Sequence, residues 1–289
     1  MSAPDGMRFL AADASWDEAV AVIQGLPWDG SVSWRAGASD APAAVRIAAD
    51  SIETYSPILR ADLEDVRIHD AGDLPLAGKD PADAIDDIAD ATEKHLRAGK
   101  FAVSIGGDHS VSIGTTRGAR RVYPDLVHLV YDAHMDMRAS YDGTDLSHAC
   151  GTRHMAMAGT TVALGIRSGA REEFTDADKM LAHWSADVEV TPSVRSLLQG
   201  RPVYVSCDLD VLDPGQLPGT GTPEPGGCSY KELRASLLSL QGLRVVGVDL
   251  VEVSPAWDPS GRSPIVAAQL SREIFLGLAV VKKRSDQGK

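Results

Sequence analysis

Short apolar segments alternate with amphipathic segments along this chain. The apolar segments are rich in Val, Ile and Leu, are bounded by Gly, Asp or Pro, and occupy residues 18–23, 101–105, 127–131, 161–166, 203–207 and 245–250. Because they are apolar on both faces, they predict strands that are covered on both sides, as in a parallel sheet. Helical patterns separate several of them, at residues 81–98, 229–240 and 263–280. The alternation predicts βαβ units and an α/β sandwich.

The composition is that of a globular chain. Of the 289 residues, 44% are hydrophobic and 24% are charged, which argues against disorder and against a coiled coil. No segment rich in Pro, Ser and Gly divides the chain, so we expect one domain over residues 1–289. The last residues, 284–289, are polar and are expected to fray.

The net charge bears on the binding partners of the protein, and the cysteines bear on its cellular compartment. The chain has 28 basic and 41 acidic residues, a formal net charge of −13, which argues against nucleic acid as its main partner. This balance suits a cationic substrate, although an acidic surface also simply keeps a protein in solution. Three cysteines without a C-x-x-C spacing predict a reducing compartment. With neither a signal segment nor a membrane-spanning run in the sequence, we expect a cytoplasmic protein that does not bind a membrane.

Three of the predicted strands are followed by residue types that bind metals. The segments are Gly-Gly-Asp-His-Ser at 106–110, Asp-Ala-His-Met-Asp at 132–136 and Ser-Cys-Asp-Leu-Asp-Val-Leu-Asp-Pro at 206–214. Binding sites in open parallel sheets form at the carboxyl ends of the strands, so the three clusters are expected to meet at one edge. In an extended segment, alternate residues point to the same face. Asp132, His134 and Asp136 are therefore expected to converge, as are Asp208 and Asp210.

Clustered carboxylates need counterions, because like charges raise one another's pKa. The candidate ligands are His109, Asp132, His134, Asp136, Asp208 and Asp210. Two divalent cations would balance the four carboxylates, and the two imidazoles would complete the set as neutral ligands. Oxygen ligands with some imidazole favour a hard cation such as Mn²⁺, with Mg²⁺, Zn²⁺, Co²⁺ and Ni²⁺ as alternatives. A single Asp-x-Asp is usually a solvated turn, but three such clusters at strand ends predict a metal site.

These motifs resemble those of the ureohydrolases, the manganese-dependent family of arginases, agmatinases and related amidinohydrolases. Further matching segments are 25–29, 35–37, 53–56, 218–224 and 249–255, so the resemblance covers most of the chain. It implies a three-layer α/β/α sandwich with a mostly parallel central sheet, two Mn²⁺ ions per chain, and a homo-oligomer, either a trimer or a hexamer. It also implies two ligand sets that share Asp132 and Asp208 as bridges. One set adds His109 and Asp136, and the other adds His134 and Asp210.

The same resemblance implies roles for the residues around the metal pair. Glu252 matches the family's substrate-binding Glu and would hold a guanidinium through charge-assisted hydrogen bonds. Asp136 would accept the proton released during attack on the guanidinium carbon. His148 matches a mobile-loop histidine that shuttles protons or steadies the amine. Thr222 would hydrogen-bond near the substrate carbon. Ordinary structural roles are the alternatives for Glu252, His148 and Thr222, and the expected products are urea and an amine.

One turn predicts the tail of the substrate. Arginases have an Asp-x-Asp after a Gly-x-Arg turn, which here reads Gly-Ile-Arg-Ser-Gly-Ala-Arg at 165–171, so that Ser168 and Ala170 occupy the acidic positions. Neither residue has a carboxylate that could pair with the α-amino group of arginine. We therefore expect the substrate to be agmatine, a small cationic guanidino compound that lacks the α-carboxylate, rather than arginine. Guanidinobutyrate, guanidinopropionate, proclavaminate-type guanidines and arginine itself remain alternatives, because one loop determines which far end of the substrate fits. Arg171 could meet a carboxylate there, which would favour an acidic guanidino compound.

Two other classes of protein stay open. A metal-dependent deacetylase of the acetyl-lysine type shares the general fold, but it uses a single Zn²⁺ and would not need both Asp136 and Asp210. A non-catalytic metal-binding scaffold could keep the full ligand set without turnover. The remaining histidines have no partners at comparable spacing and are expected to be structural or at the surface; they are His69, His95, His128, His154 and His183.

Overall fold

The protein is built around an eight-stranded sheet in a computed structural model that describes residues 6–279. The strands are β1 (Ala21–Gly25), β4 (Ile68–Asp73), β5 (Phe101–Ile105), β6 (Val127–Tyr131), β7 (Thr161–Leu164), β8 (His183–Ser185), β9 (Pro202–Asp208) and β10 (Arg244–Val251). Their order across the sheet is β4-β1-β5-β10-β9-β6-β7-β8, and every neighbouring pair is parallel. Two further strands, β2 (Tyr55–Ser56) and β3 (Ala61–Asp62), form a separate antiparallel pair.

Helices cover both faces of the main sheet. They are α1 (Ala41–Ala49), α2 (Pro81–Arg97), α3 (Val111–Val122), α4 (Gly151–Ala158), α5 (Arg171–Met180), α6 (Pro192–Leu198), α7 (Tyr230–Ser239) and α8 (Arg262–Ile274), which continues into a π-helix at Phe275–Ala279. In β5, Phe101 and Val103 belong to the apolar core that includes residues of α1 and α8, whereas Ala102 belongs to a second core with residues of α2 and α3. This alternation confirms the expected three-layer α/β/α sandwich with its parallel sheet.

The central strands were predicted more accurately than the edge strands. The segments predicted at 101–105 and 127–131 match β5 and β6, whereas the segment predicted at 18–23 is wrong at both ends, because β1 spans Ala21–Gly25. The sequence did not reveal β4 and β8, which lie at the two edges of the sheet. An edge strand needs less apolar cover, and β4 accordingly reads Ile-His-Asp-Ala-Gly-Asp.

Two predictions extend past the described residues. The helix predicted at 263–280 corresponds to α8 and the π-helix, and its last residue, Val280, lies outside the described range. The segment expected to fray, 284–289, also lies outside that range. None of the helices between residues 6 and 279 is both long and apolar enough to cross a membrane.

The register of the sheet brings four strand ends to the same level. Leu250 of β10 pairs with Ile105 of β5 on one side and with Cys207 of β9 on the other, and Cys207 pairs with Tyr131 of β6. The residues after these four positions therefore leave the sheet along one edge. Close packing also fixes the loop after β5, because a Cβ added at Gly107 would lie 1.6 Å from the carbonyl oxygen of Trp28.

Candidate metal centre

Four adjacent strands supply the side chains of the candidate centre. His109 follows β5, Glu252 follows β10, Asp208 ends β9, and Asp132 follows β6. The structure brings together all six side chains that the sequence marked as candidate metal ligands, and five of these residues are buried, while the side chain of His134 is 24% exposed. The site lies at the carboxyl edge of the sheet, where the sequence placed it.

His109 is the meeting point of three carboxylates. Its Nδ1 lies 3.0 Å from Oδ2 of Asp132 and 3.2 Å from Oδ2 of Asp136. The same nitrogen lies 3.3 Å from Oδ2 of Asp208. The ligand atoms of His109, Asp132 and Asp208 all lie within 4.8 Å of one another and could hold one metal ion.

His134 forms the second part of the centre. Its Nδ1 lies 2.8 Å from Oδ2 of Asp210 and 3.7 Å from Oδ1 of Asp132. The ligand atoms of these three residues also lie within 4.8 Å of one another and could hold a second ion. Asp132 belongs to both groups, whereas Asp208 belongs to the first alone. Asp136 lies beside His109 but outside both groups.

Backbone amides orient three of the carboxylates in the same way. Oδ1 of Asp132 accepts from the N–H of His134 at 2.6 Å. Oδ1 of Asp208 accepts from the N–H of Asp210 at 2.8 Å, and Oδ1 of Asp210 accepts from the N–H of Ala133 at 3.0 Å. The Oδ2 atoms of Asp132 and Asp210 are buried, and although an imidazole Nδ1 lies 3.0 and 2.8 Å away, neither contact has the geometry of a hydrogen bond. Because a buried acceptor without a partner is costly, these oxygens fit a bound cation.

The pKa values of the histidines and of Asp208 also favour bound cations at this centre. Burial lowers the pKa of His134, but Asp210 and Asp132 outweigh it and raise the pKa to about 12. Burial also opposes protonation of His109, yet Asp132 helps to raise its pKa well above the ordinary value. For Asp208, burial raises the pKa well above its usual range, and Asp210 adds to the shift. The side chains alone thus balance their charges with protons on imidazoles, and divalent cations would displace those protons.

The backbone around the ligands corrects one sequence argument. Asp210 lies in a 3₁₀ turn at Leu209–Val211, not in the extended segment from which its convergence with Asp208 was predicted. Asp136 has a φ of 49°, in the left-handed region, so the segment from Asp132 to Asp136 is not a regular strand either. The convergence was correct, but tight turns produce it where simple alternation was expected.

A polar network supports His109 from behind. Its Nε2 lies 3.0 Å from Oγ of Ser206, which donates to Oδ1 of Asp249 at 2.7 Å. Ser112 and Thr115 of α3 also donate to this buried carboxylate, at 3.0 and 2.6 Å. Because the single hydrogen of Ser206 goes to Asp249, Nε2 of His109 is the donor. Displacement of the Nδ1 proton by a cation would then leave the Nδ1 lone pair directed toward that cation. Sequence reasoning did not identify this network.

Glu252 lies directly after β10 with a φ of 63°, in the left-handed region. Its Oε1 accepts from the N–H of His109 at 2.7 Å. Burial raises the pKa of Glu252 well above its ordinary value, and the charge of Asp108 adds to the shift. A buried carboxylate of this kind is stabilised by a cationic ligand.

A cavity of about 320 Å³ opens onto the centre. Its walls include the three residues predicted to contact substrate beside the metals, namely His148, Thr222 and Glu252. Ser168 and Ala170, which carried the prediction of the substrate tail, also line it. Arg171 is exposed and is not among the lining residues, so a meeting between Arg171 and a substrate carboxylate finds no support here.

The sequence analysis missed three residues of the same wall. Arg138 and Glu173 are paired, with 3.5 Å between Nε and Oε2. The guanidinium of Arg138 also lies 5.3 Å from the ring centroid of Tyr141. Glu173 is buried, and its oxygens accept from the N–H groups of Met137 and Ala170 at 3.0 and 2.7 Å. Arg138 could have been identified from the sequence, because it is cationic and directly follows the Asp132–Met137 segment.

Comparisons with known proteins agree with this geometry. A family model described as the arginase family matches residues 19–277. An agmatinase of Bacillus anthracis is 41% identical over 279 residues, which cover 94% of this chain and 96% of the relative. The crystal structure of an agmatine ureohydrolase from Thermoplasma volcanium superposes with a TM-score of 0.86 at 31% identity, over 98% of this chain and 97% of that one. A proclavaminate amidino hydrolase from Streptomyces clavuligerus gives a TM-score of 0.84 at 29% identity, over 97% and 98%.

Proposed function

The chain belongs to the arginase family, and from this premise we propose that it hydrolyses agmatine to urea and putrescine. The observation that carries the proposal is the meeting of two histidine–aspartate groups with Glu252 at the base of one cavity. Water is the second substrate: one C–N bond of the guanidino group breaks, and a C–O bond forms at the same carbon. The 41% identity to an agmatinase supports agmatine as the guanidino compound.

We infer that the cofactor is two Mn²⁺ ions per chain. His109, Asp132, Asp136 and Asp208 would hold one ion, and His134, Asp132, Asp208 and Asp210 the other. The orphaned Oδ2 atoms of Asp132 and Asp210 support this assignment. When bound, a pair of divalent ions supplies a nucleophile from water near neutral pH.

The protein's own side chains would bind the substrate and move its protons. Glu252 accepts hydrogen bonds from the guanidinium and orients its carbon toward the metal centre. Asp136, beside His109, accepts the proton released during attack. His148 gives a proton to the leaving nitrogen, which departs with the electron pair of the C–N bond. Thr222 contributes a hydroxyl on the same wall.

A substrate panel tests the proposal. Purified protein is loaded with Mn²⁺, its metal content is measured, and urea release is followed from agmatine, arginine and 4-guanidinobutyrate in one buffer. We expect two ions per chain and the highest kcat/KM for agmatine. A single Zn²⁺ per chain would support the deacetylase alternative, and two retained ions without urea release from any guanidine would support a non-catalytic scaffold.

One observation favours a second candidate substrate. Arg138 lines the cavity and carries a fixed positive charge, so it could pair with the carboxylate of a guanidino acid such as 4-guanidinobutyrate. The structural similarity to a proclavaminate amidino hydrolase, at 29% identity, supports guanidino acids as the alternative class of substrate. Preference for 4-guanidinobutyrate in the panel would replace agmatine as the substrate.

We also propose a cytoplasmic homo-oligomer, a trimer or a hexamer, formed from chains that each consist of one domain. The family supports the assembly, and the cysteines support the compartment, since all three are free in the structure. Light scattering of the Mn²⁺-loaded protein tests the assembly, and a monomer at micromolar concentration would contradict it.

A further inference from the structure

Ser31, in the loop after β1, connects His148 to a buried carboxylate. Its Oγ accepts from the backbone N–H of His148 at 2.9 Å and lies 3.2 Å from Nδ1 of the imidazole. The same hydroxyl donates to Oδ2 of Asp108 at 3.0 Å, and the N–H of Ser31 donates to that oxygen at 2.8 Å. Two loops that are distant in sequence therefore meet at the loop that carries His148.

Asp108 acts as an acceptor in this arrangement. It is fully buried, and its other oxygen, Oδ1, accepts from the N–H and the hydroxyl of Ser110. A serine hydroxyl has one hydrogen, and Ser31 uses it in the bond to Asp108. Ser31 can therefore offer only lone pairs to His148. In the shorter contact at Nδ1, the one with Ser31 at 3.2 Å, the imidazole is therefore the donor; Oγ of Ser147 lies farther away, at 3.4 Å. In the neutral imidazole this arrangement favours a hydrogen on Nδ1 and a free lone pair on Nε2.

The free nitrogen lies on the side of the cavity. Nε2 of His148 is 3.5 Å from Oγ of Ser33, and both residues line cavities that also contain Glu252. The ring of Tyr141 contacts the imidazole edge-on, with 5.6 Å between centroids and an interplanar angle of 73°. The imidazole is thus held at Nδ1 by Ser31, with the longer contact of Ser147 beside it, and by Tyr141 at its edge.

We infer that Ser31 and Asp108 are positioning residues that fix His148 as the Nδ1–H tautomer with Nε2 directed into the cavity. For the proposed hydrolysis, on which this kinetic consequence rests, Nε2 takes up a proton from solvent and passes it to the leaving nitrogen as the C–N bond breaks. Because neither residue touches the substrate, their loss lowers the rate of the chemical step more than the affinity for substrate.

Serine substitutions separate this role from simple stabilisation. In Mn²⁺-loaded protein, we expect Ser31→Ala to lower kcat on agmatine at least tenfold while KM changes less than threefold. Ser31→Thr keeps the hydroxyl and is expected to retain at least a third of the parent kcat. Ser51→Ala, which removes a hydroxyl that donates to the carbonyl of Ala48, is the matched control and is expected to leave kcat unchanged. Equal kcat in Ser31→Ala and the parent would overturn the inference.

A spectroscopic readout tests the tautomer without any turnover. Protein labelled with ¹⁵N-histidine and loaded with diamagnetic Mg²⁺ gives long-range ¹H–¹⁵N signals for each ring, and His148→Gln identifies the signals of residue 148. We expect a protonated Nδ1 and an unprotonated Nε2 in the parent and in Ser31→Thr, and a loss of this preference in Ser31→Ala. An Nε2–H tautomer in the parent would overturn the inference, even if agmatine is cleaved. Failure to cleave any guanidine would instead contradict the proposed function and leave this readout to decide.

Discussion

At the scale of single residues, the two oxygens of three carboxylates in the centre have different tasks. Asp132, Asp208 and Asp210 each use Oδ1 to accept a backbone N–H and direct Oδ2 toward an imidazole. The anchored oxygen sets the orientation before any ligand arrives, so ordering these side chains costs little when a cation binds. The division also suggests substitutions that change ligation while keeping the anchor.

Asp210→Asn tests this division. The amide oxygen can still accept from the N–H of Ala133, whereas the NH₂ group replaces the oxygen beside His134. We expect metal content to fall from two ions to one per chain and kcat to fall about 100-fold or more, because even the loss of a residue that supports a metal ligand costs about 10–100-fold. Elemental analysis and urea release measure the two effects.

The matched control lies three residues away. Asp213→Asn alters a carboxylate that accepts from Gly215 and Gly226 outside the centre, and it is expected to keep both ions. Full metal content in Asp210→Asn would refute the assignment of Asp210 as a ligand.

Arg138 is expected to set the preference for the substrate tail. Its guanidinium lies beside Glu173 and over the ring of Tyr141, groups that a cationic tail would also seek. Arg138→Gln removes the competing charge, so we expect the ratio of kcat/KM for agmatine over 4-guanidinobutyrate to rise at least tenfold. Arg138→Lys keeps the charge and should move the ratio less. An unchanged ratio in Arg138→Gln would show that Arg138 does not select the tail.

The sequence identified residues whose chemistry repeats at strand ends, and it missed those whose role depends on distant loops. His109 and Asp132 stand in recognisable motifs, and their meeting follows from the parallel sheet. Ser31 carries no such signal, because a serine is common in any chain, and Asp249 lies in a matching segment that gave it no role of its own. Their importance comes from contacts with residues far away in sequence, 77 positions for Ser31 with Asp108.

At the scale of secondary-structure elements, central strands were predictable and edge strands were not. A strand such as β5 is buried at every position and apolar at all but Ser104, whereas β8 has three partly buried residues. Helices such as α3 were missed for a related reason. The α3 segment contains two glycines and two threonines, which have low helix propensity, and it forms a helix because it packs against α2.

Arg167 links two of the loops at the site. Its guanidinium donates to the carbonyl oxygens of Asp210 and Glu224, at 2.9 and 2.7 Å, and so holds the turn that contains Asp210 against the loop that precedes α7. Arg167→Met removes these bonds, and we expect Mn²⁺ affinity to fall about tenfold because Asp210 is no longer held. Metal titration by calorimetry measures the effect.

Arg167→Lys is the informative companion, since a lysine cannot form the planar fork that reaches several carbonyls. We expect it to recover less than half of the lost binding free energy. Parent-like affinity in both variants would show that the loops hold Asp210 without Arg167.

At the scale of the whole molecule, buried neutral histidines make stability depend on pH. Burial lowers the pKa of His128 to about 3 and that of His95 to about 4. The unfolded chain takes up protons near the ordinary histidine value of about 6.5, but the folded chain does so only at lower pH. Stability is therefore retained above pH 6.5 and declines as the pH falls from there toward 4.

We expect each of these imidazoles to cost about 2 kcal/mol of stability between pH 7 and pH 5. His128→Gln should reduce the loss over this interval by about that amount in urea denaturation experiments. His154→Gln, which alters a partly exposed ring bonded to the carbonyl of Asp145, serves as the control and should leave the loss as in the parent. An identical loss in parent and His128→Gln would show that His128 is not the source.

The arrangement of β5, β10, β9 and β6 as neighbours has a consequence for biosynthesis. The strands that carry the candidate ligands lie side by side in space, but among the described residues β10 is the last strand to be synthesised, and it lies between β5 and β9. A nascent polypeptide that has left the ribosome only as far as β9 lacks both Glu252 and β10, the strand that lies between β5, which precedes His109, and β9, which ends at Asp208. Because Glu252 follows β10, no nascent chain that ends before this strand can assemble the whole candidate site.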